Sequence, residues 1–175
     1  NPSFLSTPGA KDVGIEFYTF SKTFNMAGWR LAFAAGNDQM IEALNLIQDH
    51  LFVGIFPALQ EAGIAALLDP KSEEAVAQLN ATYDSRRDAF VQAAAKIGWK
   101  AFPSKGSFYA WMPVPEGYTS ESFADLLLEK AHVAVAPGKG FGPAGDAYVR
   151  IGLLVEPERL VEAVDRIANL HLFNN

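Results

Sequence analysis

The pattern of apolar and polar residues predicts two buried strands near the start of the chain. Residues 15–20 and 29–36 are short apolar runs bounded by turn-forming residues. Runs of this length without a helical period are typical of strands that are buried on both faces, as in a sheet covered by helices. We therefore expect an α/β arrangement in this part of the chain.

Two helices are predicted to follow these strands, with a break over residues 52–57. Asn37 and Asp38 provide an N-cap for the first helix, and Pro57 suits the first turn of the second. The face that the first helix buries is predicted to contain Met40, Leu44, Ile47 and Leu51. The second is predicted to bury Leu59, Ala62, Ala66 and Leu67.

From Ser72 onward the pattern changes to an alternation of helices and strands. A long helix begins at Ser72 and ends before Gly98, and a last helix begins at Pro157 and buries Leu160, Val164 and Ile167. The apolar stripe of the long helix consists of Val76, Leu79, Tyr83, Phe90, Ala94 and Ile97. Between these helices the pattern predicts strands over 99–102, 107–112, 133–136 and 148–154, and a helix over 120–131.

This order of elements is typical of an α+β layer arrangement. Residues 69–72 carry the strongest signal for a domain boundary, which divides the chain into residues 1–71 and 72–175. The fold class predicted for the whole chain is thus α/β followed by α+β.

The amino-acid composition indicates a globular protein and argues against nucleic-acid, membrane and metal partners. Half of the 175 residues are apolar and 19% are charged, as in a globular protein. The formal net charge of −6 argues against nucleic acid as a partner. No apolar stretch approaches the roughly 18 residues that span a bilayer, so we expect no membrane partner and a cytoplasmic location. The chain lacks cysteine, and His50, His132 and His171 have no metal-ligand spacing, so no metal is predicted.

The residues with the clearest chemical role follow the end of the first predicted strand. Lys22 lies between the hydroxyl residues Ser21 and Thr23, and Arg30 follows eight positions later. Partial burial and a nearby cation would favour an uncharged, nucleophilic amine at Lys22, and the guanidinium of Arg30 offers a planar fork for phosphate. Pyridoxal 5'-phosphate is the cofactor that needs both a covalently attached lysine and a phosphate anchor. A single lysine is more often a solvated surface group, so the whole string of residues carries the interpretation.

That string resembles the cofactor-lysine signature of the class I/II aminotransferases, which are fold-type I pyridoxal-phosphate enzymes. The signature has a small hydroxyl residue three positions before the lysine, a small residue one before it, and a small residue, any residue and an arginine at the sixth to eighth positions after it. The matching residues here are Thr19, Ser21, Lys22, Gly28, Trp29 and Arg30. Thr19 departs from the serine or glycine that is usual in the family. The resemblance implies that Lys22 is the catalytic lysine and that Thr19, Ser21 and Arg30 anchor the cofactor's phosphate.

A second motif is the glycine-rich segment 136–143, which precedes a predicted strand that carries Arg150. Taken alone, such a segment is an ordinary surface turn. In the family that the chain resembles, however, a Pro-Gly-x-x-Phe-Gly loop leads into a strand with an arginine. Arg150 has apolar neighbours in the sequence, where an unpaired charge is costly. The resemblance implies that it binds the substrate's α-carboxylate, and a salt bridge to an acid of the fold is the alternative.

The resemblance spans nearly the whole chain and implies the C-terminal part of a longer enzyme. The chain would hold the end of the large domain, over residues 1–71, and the small C-terminal α+β domain, over residues 72–175. Family members are homodimers whose sites need residues from upstream of the lysine and from the partner subunit. We therefore expect the chain alone to be inactive and the complete protein to act on an amino acid and a 2-oxo acid.

The substrate is predicted to have an uncharged side chain. No lysine or arginine occurs between Asp49 and Lys71, the region in which dicarboxylate-specific members place a basic residue. The chain also resembles those family members that serve methionine salvage, which implies 2-oxo-4-methylthiobutanoate as amino acceptor and a donor such as glutamine.

Three alternatives remain open from the sequence. The first is another class I/II aminotransferase, acting on a diaminopimelate derivative or on aromatic amino acids. The second is a lyase on the same scaffold that cleaves a β or γ substituent. The third is the effector-sensing domain of an aminotransferase-like transcription regulator.

Overall fold

The computed structural model describes residues 2–51, 53–102 and 104–173. The chain divides into two compact units, and the boundary falls between Gln78 and Leu79. The predicted break at Phe52 and the predicted turn at Pro103 lie outside the described residues. The division into a large-domain part and a small domain at residue 72 stays a prediction.

The described residues of the first unit form a two-stranded sheet, four α-helices and the start of a fifth. Its strands pair in antiparallel fashion, from Ile15 opposite Gly36 to Thr19 opposite Ala32. Its elements are helix α1 (Ala10–Val13), strand β1 (Ile15–Thr19), helix α2 (Phe20–Thr23), strand β2 (Ala32–Gly36), helix α3 (Asp38–Leu51) and helix α4 (Pro57–Leu68).

Both strands are shorter than the sequence predicts, at the ends near Lys22 and Arg30. Strand β1 ends at Thr19, because the chain turns into helix α2 at Phe20. Strand β2 begins at Ala32 because Ala27–Trp29 forms a 3-10 turn, and Arg30 then adopts a left-handed conformation with φ of 52°. That conformation cannot continue into an extended strand.

The expectation that these strands are buried on both faces is wrong for the described chain. Phe17 is 65% exposed and Phe33 is 40% exposed. The described residues supply only β1 and β2 to this sheet, so neither edge has a further strand beside it.

Helices α3 and α4 begin where the sequence predicts, but the face that α3 buries differs. The Oδ1 atom of Asn37 accepts a hydrogen bond of 3.1 Å from the backbone N–H of Met40, as an N-cap does. The half-buried residues of α3 are Ile41, Leu44 and Gln48. Of the predicted face, Met40, Ile47 and Leu51 are exposed. In α4, Leu59, Ala62 and Ala66 are half-buried as predicted, whereas Leu67 is exposed.

Helix α5 (Ser72–Lys96) begins in the first unit and continues into the second. Its predicted apolar stripe is confirmed, because Phe90 and Ala94 are buried and Val76, Leu79, Tyr83 and Ile97 are half-buried. The helix ends as the sequence predicts, with Gly98 in a left-handed conformation at φ of 79°. The N–H of Trp99 then donates to the carbonyl of Ala94.

The rest of the second unit is a three-stranded antiparallel sheet with helices packed on one face. Its strands lie in the order β3-β5-β4. Its elements are strand β3 (Tyr109–Pro113), helix α6 (Ser120–Leu126), strand β4 (Ala136–Pro137), strand β5 (Tyr148–Gly152) and helix α7 (Pro157–Ala168). Leu127–Ala131 continues α6 as a single turn of π-helix, so the predicted helix over 120–131 is present with an altered last turn.

The strand predicted over 99–102 is wrong. Only a single bridge between Phe102 and Trp111 forms there. Trp99 instead enters the core, where it is 1% exposed and its indole N–H donates to the carbonyl of Pro113 at 2.8 Å. The strand predicted over 133–136 is likewise reduced to Ala136–Pro137.

The core of the second unit packs helices α5, α6 and α7 against the inner face of the sheet. It centres on the large side chains of Phe90, Trp99, Phe123 and Met112. Leu160, Val164 and Ile167 of α7 are buried in it, as the sequence predicts. None of the helices in the described part of the chain is both long and apolar enough to cross a membrane.

We expect Gly98→Ala to destabilise the protein by about 1–2 kcal/mol, because an L side chain is strained in the left-handed conformation that ends α5. Thermal unfolding followed by circular dichroism measures the loss. Gly106→Ala is the matched control, since a Cβ at Gly106 would meet no atom within 4 Å. Equal melting temperatures for the two variants would contradict this account of the helix end.

Candidate cofactor and substrate site

Thr19, Ser21 and Lys22 lie together where β1 turns into α2. Thr19 is the N-cap of this short helix, and its Oγ1 accepts a hydrogen bond of 3.2 Å from the N–H of Ser21. The same Oγ1 donates to the Ser21 hydroxyl at 3.0 Å. Lys22 follows in the helix and is exposed, so the partial burial expected from the sequence is wrong for this chain.

Arg30 reaches the same end of the sheet from β2. It precedes Leu31, whose carbonyl accepts a hydrogen bond of 3.2 Å from the N–H of Phe20. The next residue, Ala32, pairs with Thr19. The guanidinium is held back toward its own turn, since Nη1 donates to the carbonyl of Ala27 at 2.9 Å. The backbone thus places Arg30 beside the turn that carries Ser21.

The residues at this strand end have the donors that a phosphate group requires. Two hydroxyls and a guanidinium lie on two adjacent turns, and all of these groups donate hydrogen bonds to anions. The space next to Gly28 is open, because a Cβ there would meet no atom within 4 Å. The residues present therefore fit the phosphate of pyridoxal 5'-phosphate, with Lys22 as the neighbouring amine.

Arg150 lies in the second unit, on the central strand β5. Its cross-strand neighbours are Trp111 on β3 and Ala136 on β4. Val149 and Ile151, on either side of it along the strand, are buried in the core. Because side chains alternate along a strand, Arg150 stands on the opposite face of the sheet, where it is half-buried.

Two aromatic rings enclose the Arg150 guanidinium. Its central carbon lies 4.2 Å from the ring centroid of Tyr109 and 4.2 Å from that of Phe141. Cation–π contacts at this distance hold the guanidinium against both rings, and its five N–H donors remain the groups that can bind an anion.

No acid in the described ranges forms an ion pair with Arg150, so the alternative of a structural salt bridge is not observed there. The sequence did not identify Tyr109 and Phe141 as residues of the site. In the sequence, Tyr109 is one aromatic position in an alternating strand, and Phe141 is one aromatic position in the glycine-rich segment. Neither pattern indicates that the two rings contact Arg150. A carboxylate is a ligand that suits a guanidinium, because its two oxygens accept two parallel N–H hydrogen bonds.

The glycine-rich segment forms two consecutive 3-10 turns, Gly138–Phe141 and Pro143–Ala147. The backbones of the two turns touch. A Cβ at Gly138 would lie 2.2 Å from the carbonyl oxygen of Gly145, and a Cβ at Gly145 would lie 2.0 Å from that of Gly138. Only glycine fits at either position. The contact between the two turns therefore defines the conformation of the segment that positions Phe141 against Arg150. Over the described residues, no cluster of three His, Asp or Glu side chains suits a metal ion.

Residues 5–167 match the model of the family Aminotransferase class I and II. The chain belongs to this family, as the signature around Lys22 predicts.

Individual relatives agree with this assignment. The chain is 61% identical over 171 residues to the L-glutamine--4-(methylsulfanyl)-2-oxobutanoate aminotransferase of Bacillus subtilis, and the match covers 98% of the chain and 42% of that protein. It is 49% identical over 166 residues to the LL-diaminopimelate aminotransferase of Moorella thermoacetica, over 95% of the chain and 42% of that protein.

Solved structures confirm the predicted fold class. The apo structure of BacF from Bacillus subtilis superposes with a TM-score of 0.92 at 48% identity, over 99% of the chain and 44% of that structure. BacF is a transaminase. The chain therefore has the aminotransferase fold, and it spans less than half the length of the relatives that it matches.

Proposed function

We propose that the chain is the C-terminal part of a pyridoxal-phosphate-dependent aminotransferase that transfers an amino group between an amino acid and a 2-oxo acid. The observation that carries the proposal is the group of Thr19, Ser21, Lys22 and Arg30 at one end of the β1–β2 sheet. Membership of the aminotransferase family supports it.

The residues around Lys22 have two roles in binding the cofactor, which are phosphate binding and covalent attachment. Thr19, Ser21 and Arg30 bind its phosphate, and the short helix α2 sets the distance from these donors to Lys22. Lys22 is the point of covalent attachment. Binding of the phosphate by these donors would keep the amine of Lys22 beside the reacting carbon atoms.

Arg150 binds the α-carboxylate of the amino acid. Its guanidinium already lies against Tyr109 and Phe141, so it has less freedom to lose when two parallel N–H groups donate to the two carboxylate oxygens. This contact is common to every amino acid. It holds the α-carboxylate and leaves the side chain to other residues.

Lys22 acts as the general base at Cα. Pyridoxal phosphate supplies, when bound, an electron sink that stabilises negative charge at the amino acid's Cα. The Nζ atom of Lys22 would remove the Cα proton of the amino donor in one half-reaction and would deliver a proton to Cα of the product amino acid in the other, so a single positioned amine suffices for both.

The substrate that we propose is 2-oxo-4-methylthiobutanoate, the 2-oxo acid of methionine, with glutamine as amino donor, which places the enzyme in methionine salvage. The 61% identity to a relative named for this reaction supports the proposal. So does the lack of lysine and arginine between Asp49 and Lys71, since a second carboxylate on the substrate would need a cation.

A second candidate substrate is LL-diaminopimelate. The 49% identity to an aminotransferase named for that substrate favours it, and the match covers nearly the whole chain. Diaminopimelate carries a further ammonium and a further carboxylate on its side chain, so its recognition requires charged partners beyond Arg150.

Steady-state kinetics of the longer protein test these proposals. We expect amination of 2-oxo-4-methylthiobutanoate by glutamine to exceed turnover of LL-diaminopimelate by at least about 10-fold in kcat/KM, because residues 50–70 offer no lysine or arginine to pair with the second carboxylate of diaminopimelate. A preference for diaminopimelate would reverse the substrate assignment. Release of 2-oxo acid without any amino acceptor would indicate a lyase, and ligand binding without turnover would indicate a sensor domain.

The complete enzyme is proposed to be a homodimer in the cytoplasm. The chain covers 42% of each of the two curated relatives described above, so the rest of the pocket and the partner's residues belong to the longer protein. Both the dimer and the location stay predictions.

A further inference from the structure

A fully buried hydroxyl lies at the start of helix α6 in the second unit. Ser120 is 0% exposed. Its Oγ donates a hydrogen bond of 2.8 Å to Oδ1 of Asp146, and its backbone N–H donates to the same oxygen at 3.2 Å. One carboxylate oxygen thus accepts both hydrogen bonds.

The Ser120 hydroxyl also accepts a hydrogen bond of 3.3 Å from the backbone N–H of Lys139. Lys139 belongs to the turn Gly138–Phe141, and Asp146 belongs to the turn Pro143–Ala147. The hydroxyl therefore joins three elements, which are the start of α6 and both turns of the glycine-rich segment.

A second interaction between Lys139 and α6, a salt bridge, is weaker. The Nζ atom of Lys139 donates to Glu121 at 2.7 Å, and this hydrogen bond raises the pKa of Lys139. Both side chains are more than half exposed, so solvent screens the pair. The buried hydroxyl is the stronger constraint on the turn.

The turn that Ser120 holds carries Phe141 over Arg150. Phe141 is 52% exposed, so the core does not fix its position. Its ring meets the Arg150 guanidinium at 4.2 Å and the ring of Trp111 at 5.8 Å. The backbone of the turn must therefore place the ring, and Ser120 holds that backbone.

We propose that Ser120, together with Asp146, is a positioning residue for the carboxylate-binding arginine, acting through the turn that places Phe141 on Arg150. This inference rests on the proposed role of Arg150. The pair touches neither substrate nor cofactor. It fixes one of the two rings that lie against the guanidinium, and so it reduces the freedom that Arg150 loses when a carboxylate binds.

The test is Ser120→Ala in the longer enzyme. We expect KM for the amino acid substrates to rise by about 3- to 10-fold, the effect of one net hydrogen bond, with little change in kcat and in affinity for pyridoxal phosphate. The matched control is Ser122→Ala, which removes an exposed hydroxyl two residues further along α6 that bonds only to Thr119. Its KM should stay within about twofold of the unmodified enzyme.

Variants of Asp146 distinguish a role in positioning Phe141 from a general loss of stability. Asp146→Asn keeps Oδ1 as an acceptor for both hydrogen bonds of Ser120, so KM should stay near the unmodified value, whereas Asp146→Ala should match Ser120→Ala. Phe141→Ala alters an exposed side chain and should raise KM without lowering the melting temperature. An unchanged KM in Phe141→Ala would overturn the inference even if Ser120→Ala proved too unstable to assay.

Combination with Arg150→Ala distinguishes this inference from the proposed function. If Ser120 acts through Arg150, adding Ser120→Ala to Arg150→Ala should change KM by less than about twofold. A full additional rise would show that Ser120 does not act through Arg150. If Arg150→Ala itself left the kinetics unchanged, the proposed function of Arg150 would fail instead.

Discussion

Lys22→Ala in the longer enzyme should lower kcat by a factor of about 10² to 10⁴, the usual contribution of one positioned acid–base group. The variant loses the group that we assign to proton transfer at Cα, whereas Thr19, Ser21 and Arg30 still bind phosphate. Pre-steady-state measurement of the first half-reaction checks the effect. Lys11→Ala is the matched control, because Lys11 is an exposed lysine on the short helix α1 of the same unit.

Covalent labelling tests the same residue without reference to rate. Reduction of the cofactor-bound enzyme with borohydride, followed by peptide mapping, should place the mass of the cofactor on Lys22. The motivation is its position one residue after Ser21 on the turn that Thr19 caps. A label on another lysine would remove Lys22 from the catalytic role, whatever the kinetics of the alanine variant.

Arg150→Ala should damage every amino acid substrate alike, whatever its side chain. Loss of a charge-assisted pair with two parallel hydrogen bonds costs about 2–4 kcal/mol of transition-state binding, or roughly 30- to 1,000-fold in kcat/KM. Cofactor binding should survive, since we assign the phosphate to Arg30. Kinetics with several amino acids, together with cofactor titration, measure both effects.

Two further variants sharpen the test of Arg150. Arg150→Lys should recover only part of the loss, because an ammonium cannot present two parallel N–H groups. Arg159→Ala is the control for charge alone, since Arg159 is an exposed arginine that pairs with Glu162 on α7. If Arg150→Ala lost the cofactor but kept its substrate kinetics at saturating cofactor, the roles of Arg30 and Arg150 would be reversed.

The helices of the second unit could be predicted from the sequence because each has a complete local signal. Helix α5 combines an apolar stripe of six residues with a terminal glycine, and α7 combines an initial proline with three buried residues. Such signals need no knowledge of the rest of the fold. The strand predicted over 99–102 failed because Trp99 packs into the core on its own, and an apolar run alone does not distinguish a strand from a core-filling segment.

The part of the candidate site that lies in one contiguous sequence motif could be predicted from the sequence. Lys22 and Arg30 were identified from the signature, but the left-handed backbone at Arg30 was not, since residues other than glycine seldom adopt it. Tyr109 and Phe141 were missed because they are far apart in the sequence and meet only at Arg150. Pairing of β3 with β5 brings Tyr109 there, and the contact between Gly138 and Gly145 shapes the turns that bring Phe141.

The central position of β5 restricts how this part of the protein can change in length during evolution. Val149 and Ile151 face the core while Arg150 faces away, so inserting or deleting one residue within the strand would exchange the two faces. The arginine would then enter the core and a valine or isoleucine would take its place outside. We therefore expect length variation among homologues to be confined to the connections on either side of the strand, and the number of residues from Tyr148 to Gly152 to be constant.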